Sequence, residues 1–215
     1  MTKLFVLLFA TLVWLSAPLA EAATSVSSSP TASVPGKSAD ATAVIKLFYA
    51  QLLDTMKLGN KLGFEGRYKK LAPTIKSAFN LPFMTRVSVG LVWAQATPQE
   101  QQSLISAFSD FSVATYANRF TDFEGESFNI IGQTPTTSGM MVETTITPVD
   151  RDPVRINYLM RVDDKGSYRI VDVFLNGSIS ELATRRAEFN AIVQRDGISA
   201  LVNTLGEKSK QMGPS

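Results

Sequence analysis

Val154-Arg155-Ile156-Asn157-Tyr158-Leu159-Met160-Arg161-Val162 leads into Asp163-Asp164-Lys165-Gly166 and then into Tyr168-Arg169-Ile170-Val171-Asp172-Val173-Phe174-Leu175. In the first run Val154, Ile156, Tyr158, Met160 and Val162 alternate with Arg155, Asn157, Leu159 and Arg161. Successive side chains of a strand point to opposite faces, so this spacing predicts a strand with one buried face. Asp163 to Gly166 has the chemistry of a hairpin turn, the glycine supplying the left-handed residue. Tyr168 to Leu175 is apolar on both faces, as suits a central strand, and Asn176-Gly177 closes it.

Working back from this hairpin, Met140 to Thr147 and Phe128 to Ile131 read as earlier strands, and at Gly125 the period changes. Before it, apolar residues recur at helical spacing. Val44, Leu47, Phe48, Leu52 and Met56 mark a helix from Asp40, a good N-cap, to Lys57, with Gly59 ending it. A second helix spans the region from Phe64 to Phe79, divided where Pro73 interrupts it. Leu81 to Val92 forms a short helix. Thr97-Pro98-Gln99-Glu100 is a capping box with proline at the first helical position, opening a long helix toward Phe123. Beyond the sheet, Ser180 to Arg195 and Ile198 to Lys208 give two closing helices. Helices, then an antiparallel meander, then helices is an α+β order. It predicts a twisted antiparallel sheet of about four to five strands wrapped by N- and C-terminal helices.

The start of the chain carries an address. Lys3 precedes an apolar run from Leu4 to Leu15, and Ala20-Glu21-Ala22 has the small-x-small pattern of a cleavage site. Residues 1–22 therefore read as a secretory signal peptide, and no cysteine follows to carry a lipid anchor. The run is short for a membrane span, and Pro18 breaks it. Residues 23–39, rich in Ser, Thr, Ala and Pro, read as a disordered leader. Residues 40–208 form the domain, and 209–215 a C-terminal tail.

Composition excludes much chemistry. The 215 residues include 45% hydrophobic and 19% charged, enough for one domain to bury a real core. A net charge of +2 without a basic cluster argues against nucleic acid. There is no cysteine, hence no disulfide, no thiol catalysis and no thiolate zinc site. There is no histidine, the commonest general base and metal ligand. No G-x-S-x-G elbow occurs, and no Ser stands three residues before a Lys. Gly36-Lys37-Ser38 lacks the earlier glycine of a phosphate loop. Asp150 with Asp152, and Asp163 with Asp164, sit at turns and are explained by turn chemistry. Asp172, inside an apolar strand, needs a partner, and a structural pair with an arginine is favoured over catalysis. No catalytic residue, metal or cofactor is assigned.

Apolar chemistry is plentiful. Leu104, Phe108, Phe111, Thr115 and Phe120 lie near one stripe of the long helix, with Tyr116 beside it. The sheet offers Val142, Tyr158, Met160, Val171 and Val173. Periodicity alone makes any one of these a core residue before it makes it a ligand contact. Met140, Met141 and Met160 suit either gap-filling or an adaptable cavity.

An ordered set of segments resembles a known family. Phe64-Glu65-Gly66-Arg67-Tyr68, Leu71-Ala72-Pro73 and Phe79-Asn80 come first, then Val89-Gly90-Leu91-Val92-Trp93 with Thr97-Pro98-Gln99-Glu100-Gln101. Phe108, Thr115-Tyr116-Ala117, Arg169-Ile170-Val171-Asp172-Val173, Asn176-Gly177-Ser178-Ile179-Ser180, Arg186-x-x-Phe189 and Gly197 follow. Together they resemble the MlaC / toluene-tolerance family of periplasmic lipid-binding proteins. Ser180-Glu181-Leu182-Ala183-Thr184-Arg185-Arg186 is most similar to its hopanoid-associated HpnM branch. The resemblance implies an apolar pocket between sheet and helices, and a monomeric, non-enzymatic carrier in the periplasm. Its cargo would be phospholipid or hopanoid, its partners an inner-membrane ABC transporter complex and an outer-membrane lipid acceptor. On that architecture the pocket residues are Phe108, Phe111, Tyr116, Phe120, Val142, Tyr158, Met160, Val171 and Val173. Arg185 and Arg186 read as a solvated helix face before they read as a contact for an acidic partner or a lipid phosphate. Two rival readings stand beside this one: a protein-binding adaptor with a filled core, and an α+β hydrolase or isomerase using Asp172.

Overall fold

The computed structural model describes residues 40–213. The expected signal peptide and leader lie outside the described residues, as do the last two residues of the tail. Five strands pair in the order β1-β2-β3-β4-β5, antiparallel throughout. They are β1 (Ser127–Thr136), β2 (Gly139–Thr147), β3 (Val154–Val162), β4 (Tyr168–Leu175) and β5 (Ile179–Ser180). The alternation read in β3 holds at its centre: Ile156, Tyr158 and Met160 are buried, and Arg155 and Arg161 are exposed. Val162 at the strand end is 56% exposed. In register, Val142, Tyr158 and Val173 form one cross-strand row of the inner face. Met140, Met160 and Ile170 form another. The register shifts opposite Leu159 and Met160, leaving Val171 as the extra residue of β4.

β4 is not central. Only the two-residue β5 lies beyond it, and the Phe79 to Ile170 bridge with the Asn80 N–H donating to the Ile170 carbonyl at 2.8 Å occupies the rest of that edge. Its two buried faces come from the helices packed against it. β1 is longer than read, reaching Thr136, because its outer half is an exposed edge with no apolar alternation to betray it.

The helices are α1 (Ala41–Lys57), α2 (Gly59–Ala78), α3 (Leu81–Val89), α4 (Pro98–Arg119) and α5 (Glu181–Gln211), with a 3-10 turn at Gly90–Ala94. The Asp40 carboxylate caps α1 and Thr97 with Glu100 closes the capping box of α4, as the sequence indicates. The inward stripe of α1 is Ile45, Phe48, Tyr49, Leu52 and Met56, whereas Leu47 is 71% exposed. Apolar residues fill so much of α1 that spacing alone fits more than one stripe. Pro73 does not divide α2; the break falls at Gly63, whose φ of 60° breaks helical geometry. Gly197, with φ 83°, divides α5 into the two pieces expected. At Gly59 a Cβ would sit 1.5 Å from the Thr121 carbonyl oxygen, so glycine lets two chain segments touch. No helix among the described residues is long and apolar enough to cross a membrane.

The segment around Arg67 explains why its residues matter. Arg67 is buried, and its Nε donates to the Ala117 carbonyl at 2.8 Å in the last turn of α4. Its guanidinium also donates to the Gly59 carbonyl at 3.2 Å. One planar cation thus satisfies carbonyls at the end of one helix and the start of another. Tyr68 next to it donates to Asp110 at 3.1 Å, and burial followed by that carboxylate pushes its hydroxyl up to about 12.

Candidate functional site

The inner face of the sheet meets α1 and α4 through aromatic rings. Phe48 of α1 touches Tyr158 of β3 edge-on at 6.2 Å, Tyr116 of α4 at 5.5 Å and Phe79 at 5.5 Å. Tyr116 lies flat against Phe120, 5.6 Å apart with planes 11° from parallel. Phe120 reaches Phe128 of β1 at 6.3 Å, and Phe128 meets Tyr49 edge-on at 5.1 Å. Edge-on and offset contacts of this kind are what aromatic quadrupoles favour. Val142, Met160 and Val173 lie on the same sheet face, all buried.

Within this cluster runs a short chain of hydroxyls. The Thr144 hydroxyl donates to the Ile156 carbonyl, Tyr49 lies 2.7 Å from Thr144 Oγ1, and the hydroxyls of Tyr49 and Tyr158 are 3.2 Å apart. Three protons therefore serve three contacts, and every member is satisfied inside an apolar setting. Burial raises the pKa of Tyr49 and, more strongly, of Tyr158, so both stay neutral donors.

Of the nine expected pocket residues, Tyr116, Phe120, Val142, Tyr158, Met160 and Val173 come together here. Phe108 and Phe111 have other neighbours. Phe108 packs edge-on against Phe189 of α5 at 6.0 Å, and the Arg185 guanidinium lies 4.8 Å from the Phe111 ring centre. Val171 is buried at the irregularity of β4, two residues from Val173. Phe120 does not continue the Phe108 stripe: it caps α4 with ψ 75° and stacks on Tyr116. Phe48, Tyr49, Phe79, Phe128 and Thr144 belong to the cluster without having been expected there. An apolar or aromatic residue opposite a buried strand row was the signal for the rings. Nothing in the sequence marked Thr144.

Two residues have partners other than those expected. Asp172 accepts from the Val173 N–H at 2.7 Å, the Leu182 N–H at 3.0 Å and the Ser180 hydroxyl at 2.6 Å. It anchors the first turn of α5 and has no arginine partner among the described residues. Arg185 is not a solvated side chain. It is 18% exposed, lies between Glu181 at 3.7 Å and Glu188 at 3.6 Å, and covers Phe111. Arg186 beside it is exposed.

Two clefts stand out at the surface of the described residues. One of about 420 Å³ is edged by Lys57, Lys61, Asp122 and Glu124 and is polar. The other, about 200 Å³, is lined by Val44, Leu47, Phe48, Ala78, Tyr168 and Arg169 among others. The ring of Phe48 is shared: it walls this second cleft and touches Tyr116 and Tyr158 behind it.

A family model described as MlaC protein matches residues 48–207, more than half of the chain. The fold is similar to that of a phospholipid-binding protein from Ralstonia solanacearum solved in complex with a phospholipid. The TM-score is 0.70 at 22% sequence identity, over 81% of this chain and 99% of that one.

Proposed function

The chain belongs to the MlaC family, and from that premise we propose that it is a periplasmic lipid carrier rather than an enzyme. In this reading the protein holds lipid tails between the inner face of the sheet and α1 and α4. It shuttles phospholipid or hopanoid as the soluble component of an ABC-type transport system linking the inner and outer membranes. The observation that carries the proposal is the family match, which takes in the whole sheet and every ring of the aromatic cluster. The phospholipid bound by the Ralstonia solanacearum protein of the same fold supports it.

The physics of the cluster fits such a role. Moving apolar chain into water costs about 0.8 kcal/mol per methylene, so a two-chain lipid needs a protein interior for its transit. Rings that meet at their edges exchange one apolar neighbour for another at small net cost. Tails can then replace ring contacts, and loaded and empty states stay within a few kcal/mol of each other, as release requires. No covalent step enters. The six gathered residues, Tyr116, Phe120, Val142, Tyr158, Met160 and Val173, line the tails, with Phe108, Phe111 and Val171 around them.

The test is lipid mass spectrometry of protein purified from periplasm under native conditions. Stoichiometric phospholipid or hopanoid is the expected result and identifies the cargo. Protein that is empty after mild purification, and that takes up nothing from labelled vesicles, rejects the carrier.

A further inference from the structure

The aromatic cluster contains one hydroxyl that its own hydrogen bonding does not use. Tyr49, Tyr158 and Thr144 satisfy one another and the Ile156 carbonyl, which leaves that chain no proton to give. Tyr116 makes no hydrogen bond among the described residues. Its ring is fixed on three sides, flat on Phe120 and against Phe48 and Phe79. The side chain is half-buried, and burial holds its hydroxyl protonated well above the ordinary tyrosine range. A rigid, neutral O–H at the border of an apolar region, with no protein acceptor and still within reach of solvent, is a donor free to exchange water for an acceptor on a ligand.

Resting on the carrier reading, we infer that Tyr116 donates a hydrogen bond to an ester carbonyl of the cargo and so selects ester-linked lipids. In a lipid whose tails enter the cluster, the ester carbonyls are the first strong acceptors above the hydrocarbon. A donor at the border holds them in register without contacting the head group. A lipid with ether-linked chains, or a polycyclic hydrocarbon without an acceptor, leaves the hydroxyl unpaired and forfeits that bond. The role is positional and specific, and it differs from the packing that the ring supplies.

The experiment measures uptake by the exported protein from vesicles of diester phosphatidylglycerol and from vesicles of its dialkyl-ether analogue, for wild type and Tyr116→Phe. The substitution keeps the ring and its stack on Phe120. Wild type should load the diester about fivefold to tenfold better, the worth of one hydrogen bond in such a setting. Tyr116→Phe should load both alike, at the ether level. Equal loading of the two lipids by wild type, or a preference that survives in Tyr116→Phe, overturns the inference and leaves the carrier standing. Loading of neither lipid by wild type overturns the inference too, and the carrier then stands or falls on the lipid found in protein purified from periplasm.

Discussion

Helix α4 buries aromatic side chains on two sides by different means. Toward the sheet, Tyr116 and Phe120 meet other rings, and the polar atoms of that region form a chain of weak, neutral hydroxyls. Toward α5, Phe108 meets Phe189 while Phe111 lies under Arg185, which in turn is held by Glu181 and Glu188. Glu188 also pairs with Lys208, across the break at Gly197. Phe111 and Tyr116 are roughly 140° apart around the helix, so a single element presents both environments. The ring-lined side is held by ring contacts and neutral hydroxyls, whereas the α5 side is tied by directional charge. Under the carrier proposal, the ring-lined side would yield to lipid tails and the α5 side would stay closed.

The sharpest way to break that contrast is to make the same deletion on each side. Phe48→Ala and Phe189→Ala each remove a buried ring, 1% and 2% exposed, and each should cost about 3–5 kcal/mol in urea unfolding. Lipid loading per folded molecule should fall in Phe48→Ala and be retained in Phe189→Ala. Equal losses of loading would show that the two sides act as one.

Next in size is the anchor that joins α5 to the sheet. Asp172→Ala leaves the Val173 and Leu182 N–H groups without their acceptor, and should cost about 2–3 kcal/mol, since these bonds are made to a charged group. Asp172→Asn should recover part of this, because one oxygen remains to accept. An Asp172→Ala protein with unchanged unfolding would mean that α5 is held by packing alone.

On the ring-lined side, Thr144→Val is nearly isosteric but removes the middle of the hydroxyl chain. It should cost about 1–3 kcal/mol, because the Tyr49 and Tyr158 hydroxyls are then left with one contact for two protons in an apolar setting. The same substitution in a Tyr49→Phe background should cost less, and the difference is the coupling between the two groups. Additive effects would show that water reaches Tyr49 and that the cluster is more open than its ring contacts imply.

How much of this could be read in the sequence follows from what leaves a pattern. The alternation in β3, the turn at Gly166 and the capping box at Thr97 are local, and all appear where the residues place them. β4 looked central because both its faces are apolar, but burial by a helix and burial by a neighbouring strand leave the same mark. Pro73 was read as a break and Gly63 was not, although a proline fits a helix when the carbonyl it orphans finds another partner, and a glycine at φ 60° cannot continue one. On the site, Val142, Tyr158, Met160 and Val173 share a face because strand alternation fixes it. Tyr49 and Thr144 went unseen because a residue's place in a hydroxyl chain depends on elements 95 positions apart. Phe108 and Phe111 were assigned to one surface with Tyr116 because helical spacing shows that residues are buried without showing what buries them.

The smallest effect concerns the ion pair across the break in α5. Lys208 and Glu188 are 40% and 34% exposed, so water screens them and the pair is worth about 0–1 kcal/mol. Lys208→Met should therefore lower stability by under about 1 kcal/mol, and most of that loss should be reproduced in wild type by raising the salt. Glu188→Gln should cost more, because Glu188 also holds Arg185 over Phe111, and that cation then lies on the ring with only Glu181 as its counter-charge. The ordering of the two variants is the informative quantity. If Glu188→Gln costs no more than Lys208→Met, the charges on the α5 side act as independent surface pairs. The firmness of that side would then come from Phe108, Phe111 and Phe189 alone, and the two sides of α4 would differ in composition but not in the kind of force that holds them.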